Sequence, residues 1–598
     1  MTKAKRINQY NAVILAGGFG TRLKSISGDT IKPMVKVCGK PVLEWQIELC
    51  KKHKFNKILM LLHHEYEQII DYFGDGHRFD VEIAYHIEKT PKGTAGALIE
   101  AAHLFAEVFI VMYGDVFLDV NLTNMYGFHR DTDADVSVFA HPNSHPYDSD
   151  LIVTDENNCI TGFHKYPHDN NLTVRNLVNA ALYIFKRTTL NNITLSESQA
   201  DVVQHLFPIL LTSGWKLFAY RSQEYIKDMG TPDRLKKCIE DIETGVVSKL
   251  SVDQKREAIF LDRDGTIIEE VHFLSDHNQV KLINSAGNAI KKINESGMLS
   301  VVVTNQPVVA RGNVTYKELD FIHAKMESML GKERAYVDNI YFCPHHPDSG
   351  FDGEIAELKI LCNCRKPKIG MFKEACTNLD IEQTKSWMIG DTTTDIMAGK
   401  NYGLKTILVR TGHAGLDKKY DAEPDLVASD ILEAVKWILE TQYLLNSQLD
   451  VIFKNLSGHH DIILIDGLPF NQKYNVAKGI KKKLNYKTNK SVIYDFQKED
   501  ANTIIQKVVL NNRQKQTSIV CGLGAFDIAN VFETDLKIIK IFCNVDLEIL
   551  KDRAEACREI SPLYEAKYQK FKFLDESNGI EALVSKKLRQ SHHEIVIV

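Results

Sequence analysis

Asp262-Arg263-Asp264-Gly265-Thr266 follows the apolar run Ala258-Ile259-Phe260-Leu261. A short apolar run that ends in Asp or Gly predicts a buried parallel strand. Two carboxylates one residue apart then stand at the carboxyl end of a sheet, where open α/β folds hold their ligands. As anions they repel, so the site calls for a cation, or for a proton kept on one of them. The pair suits a nucleophilic aspartate beside an acid/base aspartate, with Mg2+ between protein and phosphate. Partners follow in order. Val301-Val302-Val303-Thr304-Asn305 predicts a second strand, ending in a hydroxyl and an amide that can bind phosphate. Arg365-Lys366 offers cations, and residues 388–395 form a further strand end bearing Asp391 and Asp395.

Cys343-Pro344-His345 and Cys362-Asn363-Cys364 add a C-x-H and a C-x-C pair with 16 residues between them. Four soft or borderline ligands in two tight pairs fit a closed structural Zn2+ site. Placed just ahead of Arg365-Lys366, it would brace their loop and leave the chemistry to Mg2+.

A second kind of site opens the chain. Leu15-Ala16-Gly17-Gly18-Phe19-Gly20-Thr21-Arg22-Leu23 follows an apolar strand. Glycines let backbone N–H groups approach a phosphate or a base, and Arg22 can neutralise phosphates through its forked donors. Alone, the loop reads equally well as a tight turn. It is joined by Lys32-Pro33-Met34, by a second glycine loop at Pro91-Lys92-Gly93-Thr94, by Tyr113-Gly114-Asp115 at a strand end, and by Asp228-Met229-Gly230. A third start, Asp461-Ile462-Ile463-Leu464-Ile465-Asp466-Gly467, leads into Gln472-Lys473-Tyr474. That is the form of a phosphate-binding P-loop without its second glycine and its Mg2+-binding hydroxyl.

The elements that must position these residues are three strand-and-turn starts separated by charged, helix-favouring stretches. They predict an α/β chain of three domains at residues 1–250, 255–445 and 455–598, in keeping with a length of 598 residues. Hydrophobic content of 44%, charged content of 25% and a net charge of −5 give no reason to propose nucleic acid or an anionic membrane as partner. No run approaches the roughly 20 apolar residues of a membrane span, and no signal-type segment follows the basic start. The 11 cysteines suit reduced thiols, hence a cytoplasmic setting.

Over about residues 12–234 the glycine loops, Lys32, Asp115 and Asp228 resemble the sugar-1-phosphate nucleotidyltransferases, a Rossmann-like GT-A-type fold. The fit is best to the guanylyltransferases of D-glycero-D-manno-heptose 1-phosphate. The resemblance implies that Arg22 and Lys32 steady the triphosphate, Gly17, Gly18 and Gly93 lie against the nucleotide, and Asp115 and Asp228 hold Mg2+. It also implies that Lys165 approaches the sugar phosphate while Glu88 and Asn179 face the sugar. Residues 255–412 resemble the haloacid-dehalogenase (HAD) phosphatases. That implies Asp262 as nucleophile, Asp264 as acid/base, and Mg2+ on Asp262, Asp391 and the Asp264 carbonyl. Thr304, Asn305 and Lys366 would cradle the phosphoryl group, with Asp395 orienting its neighbours. The Cys/His loop and the Gln306…Arg311 stretch are similar to heptose 1,7-bisphosphate 7-phosphatases, with histidinol phosphatases as rivals. On that likeness Arg365 and Arg311 bind substrate. Pro307-Val308 stands where Ser-Gly is usual. Residues 461–568 are similar to uridine-kinase-type P-loop folds, here degenerate, with Lys473 left to bind phosphate; an active but divergent sugar kinase and a fold unrelated to kinases are the alternatives.

The expected whole is a bifunctional enzyme of nucleotide-activated heptose synthesis. Its partners would be heptose phosphates and GTP or another NTP, with homo-oligomerisation left open. Two alternatives stand beside it: the same two activities on another sugar for a surface glycan, and a non-catalytic binding or assembly role, which suits the last segment best.

Overall fold

Apolar runs too continuous for a half-exposed strand become the centres of parallel sheets. The computed structural model describes residues 9–18, 30–169 and 172–439 and, beyond them, the backbone of five strands. Two compact units are present, one of Met1–Thr406 with Thr411–Ala422, the other of Ile407–Arg410 with Glu423–Val598.

The first unit opens with β1 (Tyr10–Leu15), β2 (Lys57–Leu62), β3 (Glu82–Ile87), β4 (Phe105–Tyr113), β5 (Val116–Asp119), β6 (Val136–His141), β7 (Leu151–Thr154), β8 (Ile160–His164), β9 (Val178–Lys186), β10 (Leu217–Arg221) and β11 (Tyr225–Asp228). The main sheet runs β8-β7-β9-β4-β1-β2-β3, with β6 pairing β9 and carrying β10. β1 is parallel to β2 and β4, and β4 turns to antiparallel pairing at β9. Side chains alternate across β1: Ala12 and Ile14 enter one core, Val13 the other. Helix α1 (Val42–Lys52) covers the first face through Leu43 and Ile47, and α2 (Gly93–Ala101) the second through Ala95 and Leu98.

The phosphatase-like stretch follows in the same unit. β12 (Ala258–Leu261), β13 (Leu299–Asn305), β14 (Asn339–Cys343) and β15 (Trp387–Gly390) lie in the order β14-β13-β12-β15, all parallel. Every residue of β12 is buried, as a strand covered on both faces requires. The helices are α3 (Ala286–Ser296), α4 (Tyr316–Lys332), α5 (Gly370–Asn378) and α6 (Thr393–Tyr402). A capping box of Thr315 and Glu318 starts α4.

The two stretches meet along α4. Buried Glu327 accepts from Arg175 Nε at 2.8 Å and from the Asn176 N–H at 2.9 Å. Asp320, two turns earlier on the same helix, takes Arg175 Nη1 at 2.6 Å, and the Tyr147 hydroxyl donates to the Ser328 carbonyl.

In the second unit, residues 407–409 pair in parallel with 426–428. β16 (Ile462–Gly467), β17 (Ser491–Asp495), β18 (Thr517–Cys521), β19 (Ile538–Cys543) and β20 (Glu594–Ile597) form an all-parallel sheet in the order β17-β18-β16-β19-β20. The strand that ends in Gly467 is therefore central. Lys473 and the rest of the loop after it lie outside the described residues. Among the described residues no helix is long and apolar enough to cross a membrane.

Candidate active sites

Four parallel strands deliver their carboxyl ends to one place. Asp262 follows β12 and its N–H donates to Ile389 O, so β12 and β15 end level with one another. Asp262, Asp391 and Asp395 each offer a carboxylate oxygen within 4.8 Å of the others. Burial, with the charge of Asp395, pushes Asp262 up to about 7 and Asp391 up to about 9. Asp391 Oδ2 accepts the His413 N–H at 2.7 Å, but its buried Oδ1 has no partner. Crowded, desolvated carboxylates with orphaned oxygens, on Asp262 and Asp391, are donors a hard divalent cation takes up. A bound cation would return them to the ionised state.

Lys366 is the counter-charge the protein itself supplies. Its buried Nζ lies 2.8 Å from Asp262 Oδ1, 2.5 Å from Asp395 Oδ1 and 2.8 Å from Val303 O. The contact with Asp262 is an ion pair outside hydrogen-bonding alignment. Burial would lower the ammonium, yet the two aspartates overcome it and hold Lys366 above its ordinary value. Asp395 is also the third residue of α6, where it closes a capping box with Thr392. That second tether fixes its carboxylate under Lys366. Asn305 grips the backbone of Lys366 from both sides, accepting its N–H at 2.9 Å and donating to its carbonyl at 3.2 Å. Thr304 is buried, and its hydroxyl accepts from Gln306 Nε2. Both side chains, expected against the phosphoryl group, are thus engaged with neighbouring protein groups.

Asp264 sits apart from that cluster. Arg263 Nη2 at 2.9 Å and Gln306 Nε2 at 2.8 Å hold its carboxylate. Arg263 is itself fully buried and bridges to Gln306 Oε1. Arg263 and Gln306 stand within the motifs read from the sequence, which assigned neither of them a role. Gly265 has φ +73°, and a Cβ there would stand 2.3 Å from Asp391 Oδ2. Pro307 occupies the first turn of a short helix, Pro307–Ala310, where a missing N–H is no loss. Arg311 follows, its guanidinium 4.1 Å from the ring of Phe273 and 4.2 Å from that of Phe351.

Cys343, His345, Cys362 and Cys364 converge as their spacing requires. Cys343 Sγ lies 3.5 Å from Cys362 Sγ and 3.2 Å from Cys364 Sγ, and His345 Nδ1 lies 3.2 Å from Cys364 Sγ. A metal–sulfur bond of about 2.3 Å in a tetrahedron sets ligand separations of about 3.8 Å, so the four atoms frame a slightly contracted cage. Hydrogen bonds from Cys343 and Cys362 hold the Cys364 thiol down to about 5, and the same sharing pushes Cys343 up. Arg365 leaves the cluster directly, its N–H 3.4 Å from Cys362 Sγ and its Nη1 on His345 O.

The first sheet carries a second site. A cavity of about 510 Å³ is lined by Gly17, Gly18, Lys32, Glu88, Gly93, Asp115 and Asp228. Lys32 pairs with Asp115. Asp228 accepts from Arg234 Nη1 at 2.7 Å and from the Gly230 N–H at 2.9 Å. Glu88 is buried and raised by that burial. Gly93 has φ +75° and lies so close to Ala200 that a Cβ would fall 2.4 Å from its carbonyl. Two expected residues lie off this lining. Lys165 is half-buried and donates to Gln204 O at 2.6 Å, away from the cavity lining. Its three donors take the nearest acceptor, a backbone carbonyl. Asn179 lines an adjoining cavity instead. Arg22 lies outside the described residues.

A nucleotide-sized cavity on one α/β sheet and an aspartate–lysine cluster at the strand ends of another define a nucleotidyltransferase joined to a HAD-type phosphatase. Family models agree: that of the nucleotidyl transferases matches residues 11–245, and a HAD-hydrolase-like model matches 363–434. The D-glycero-beta-D-manno-heptose-1,7-bisphosphate 7-phosphatase of Haemophilus ducreyi is 35% identical over 185 residues, 31% of this chain and 98% of that protein. The Yersinia pestis enzyme of the same name is 36% identical over 30% of this chain and 93% of its own length. Through that stretch the chain belongs to the heptose-1,7-bisphosphate 7-phosphatase family. Among solved structures, HddC from Yersinia pseudotuberculosis complexed with GMP-PN aligns at 25% identity and TM-score 0.34, over 39% of this chain and 100% of that one. A D,D-heptose 1,7-bisphosphate phosphatase from B. bronchiseptica, complexed with magnesium and phosphate, aligns at 27% identity and TM-score 0.27, over 31% and 98%.

Proposed function

We propose that the chain catalyses two consecutive steps in making a nucleotide-activated heptose. The phosphatase stretch removes the 7-phosphate of D-glycero-D-manno-heptose 1,7-bisphosphate. The transferase stretch then couples heptose 1-phosphate to a nucleotide from GTP. The observation that carries this reading is the near-full-length match to curated heptose-bisphosphate phosphatases, on a chain whose other site is a nucleotidyltransferase.

In the first step Asp262 attacks phosphorus, the bond to the sugar oxygen breaks, and Asp264 gives that oxygen its proton. Water then attacks the aspartyl phosphate, Asp264 takes the water's proton, and inorganic phosphate leaves. Lys366 and the Arg311 and Arg365 guanidiniums offset substrate charge. Arg263 and Gln306 hold Asp264 for both proton transfers. In the second step a sugar-phosphate oxygen attacks the α-phosphorus of the NTP and pyrophosphate leaves. Lys32 and Arg22 steady the charge, and Gly17 and Gly18 admit the base. Mg2+, held by Asp262 and Asp391 with the Asp264 carbonyl, and by Asp115 and Asp228 in the transferase, supplies charge neutralisation at each phosphate. Zn2+ on Cys343, His345, Cys362 and Cys364 braces the loop that bears Arg365 and Lys366.

The test is one incubation with heptose 1,7-bisphosphate, GTP and Mg2+, read for phosphate and for nucleotide sugar. Asp262→Asn should stop both products from the bisphosphate yet still convert added heptose 1-phosphate. Asp115→Asn should release phosphate and make no nucleotide sugar. If either variant blocked both steps from their own substrates, the assignment by domain would be wrong.

A further inference from the structure

A cavity of about 420 Å³ lies where the transferase stretch meets the phosphatase stretch. It is continuous with the transferase site through Asp228, which lines both. On the transferase side Asn179 donates to the Tyr183 hydroxyl at 3.1 Å, but its buried Oδ1 has no partner. A buried acceptor left unmatched costs about 1–3 kcal/mol, and a ligand hydroxyl would satisfy it.

The opposite wall belongs to the phosphatase stretch. Lys291, on α3, and Arg334, just past α4, both line the cavity. Neither side chain makes an ion pair or hydrogen bond with any described residue. The carboxylates nearby are mostly committed. Asp241 is held by Tyr225 and Lys237, and Asp338 by the N–H and hydroxyl of Ser300. Glu295 stands exposed at the mouth. Arg334 has φ +59°. It occupies the position after a helix end where glycine is the easy choice, and a larger L-residue there costs roughly 1 kcal/mol. A strained position that carries a long, uncommitted cation into a cavity points to a ligand.

We infer that this cavity seats the polyol chain of the acceptor sugar 1-phosphate, and that the phosphatase stretch builds the far wall through Lys291 and Arg334. The inference rests on the transferase activity proposed above. It makes the second catalytic stretch a specificity element of the first: hydroxyls at the far end of the sugar meet donors that a free-standing transferase would lack.

The experiment uses the full-length chain with Lys291→Ala and Arg334→Gly. The glycine variant relieves the left-handed backbone, so it folds at least as well as the parent. Each should raise KM for heptose 1-phosphate about 5- to 10-fold, as loss of one partly exposed charged hydrogen bond predicts. KM for GTP and phosphate release from the bisphosphate should not move. The penalty should shrink with D-mannose 1-phosphate, one carbon shorter. Both variants within twofold of wild type on heptose 1-phosphate would overturn the inference, as would an equal penalty on the two sugars. A wild-type chain that fails to convert heptose 1-phosphate with any NTP would instead overturn the proposed function.

Discussion

Removing the two cysteines nearest the catalytic lysine should disable the phosphatase through loop entropy alone. Cys362→Ala/Cys364→Ala leaves Cys343 and His345, both on the near side of the loop, so no metal can tie one end to the other. Cys343 and Cys364 are 21 residues apart. Releasing a loop of that length returns about 3 kcal/mol of conformational freedom, or about a 200-fold loss of the ordered form. The two hydrogen bonds between Asn305 and the Lys366 backbone remain. At about 1 kcal/mol each they recover part of that order, so kcat/KM for phosphate release should fall about 10- to 200-fold. The zinc proposed for this cluster should be found by mass spectrometry in the parent and be lost from the variant, with Mg2+ present throughout. Pyrophosphate release by the transferase serves as the internal control and should hold. A variant that has lost its zinc but keeps phosphatase kcat/KM within threefold of wild type would refute the reasoning.

Other outcomes follow from single contacts. Gly265→Ala drives a Cβ to 2.3 Å from Asp391 Oδ2 at a positive φ, so phosphatase turnover should drop by at least about 100-fold while nucleotide transfer persists. Phe351→Leu removes one of the two rings that sandwich Arg311; at about 0.5–1 kcal/mol per cation–π contact, KM for the bisphosphate should rise about 2- to 5-fold with kcat little changed. His129 is buried, accepts or donates at Ser137 Oγ, and is lowered to about 4 by burial and by Lys186. Its folded-state pKa is depressed, so its contribution to stability is present above the unfolded value near 6.5 and is lost as pH falls towards 4. Thermal melts from pH 7 to 4 should therefore steepen in wild type relative to His129→Phe by about 2 kcal/mol; parallel curves would refute this.

The strands at both sites were legible because their apolar runs are short, unbroken and followed by Asp or Gly. Asp262 and Asp391 could be named from their own strand ends, and the cysteine cluster from spacing alone. What stayed illegible depends on partners far apart in the chain. Asn305 reads as a phosphate ligand, yet its amide serves the backbone of Lys366, 61 residues on. Lys165 reads as a substrate contact, yet its flexible stem reaches a carbonyl. Pro307 reads as an obstacle until it proves to start a helix turn. Asp395 has a local signal, the Thr392-to-Asp395 capping pattern, but its support of Lys366 does not. No pattern in sequence joins Arg175 to Glu327 across 152 residues.

That last contact carries a consequence for how the chain may be divided. Glu327 draws its partners from the transferase stretch, and Arg175 draws both of its carboxylates from α4. Severed between residues 250 and 255, each half would display one charged group stripped of its complement, Arg175 on one and the buried Glu327 on the other. Two such fragments, co-expressed, are built to find each other: the break would be healed by complementation in trans.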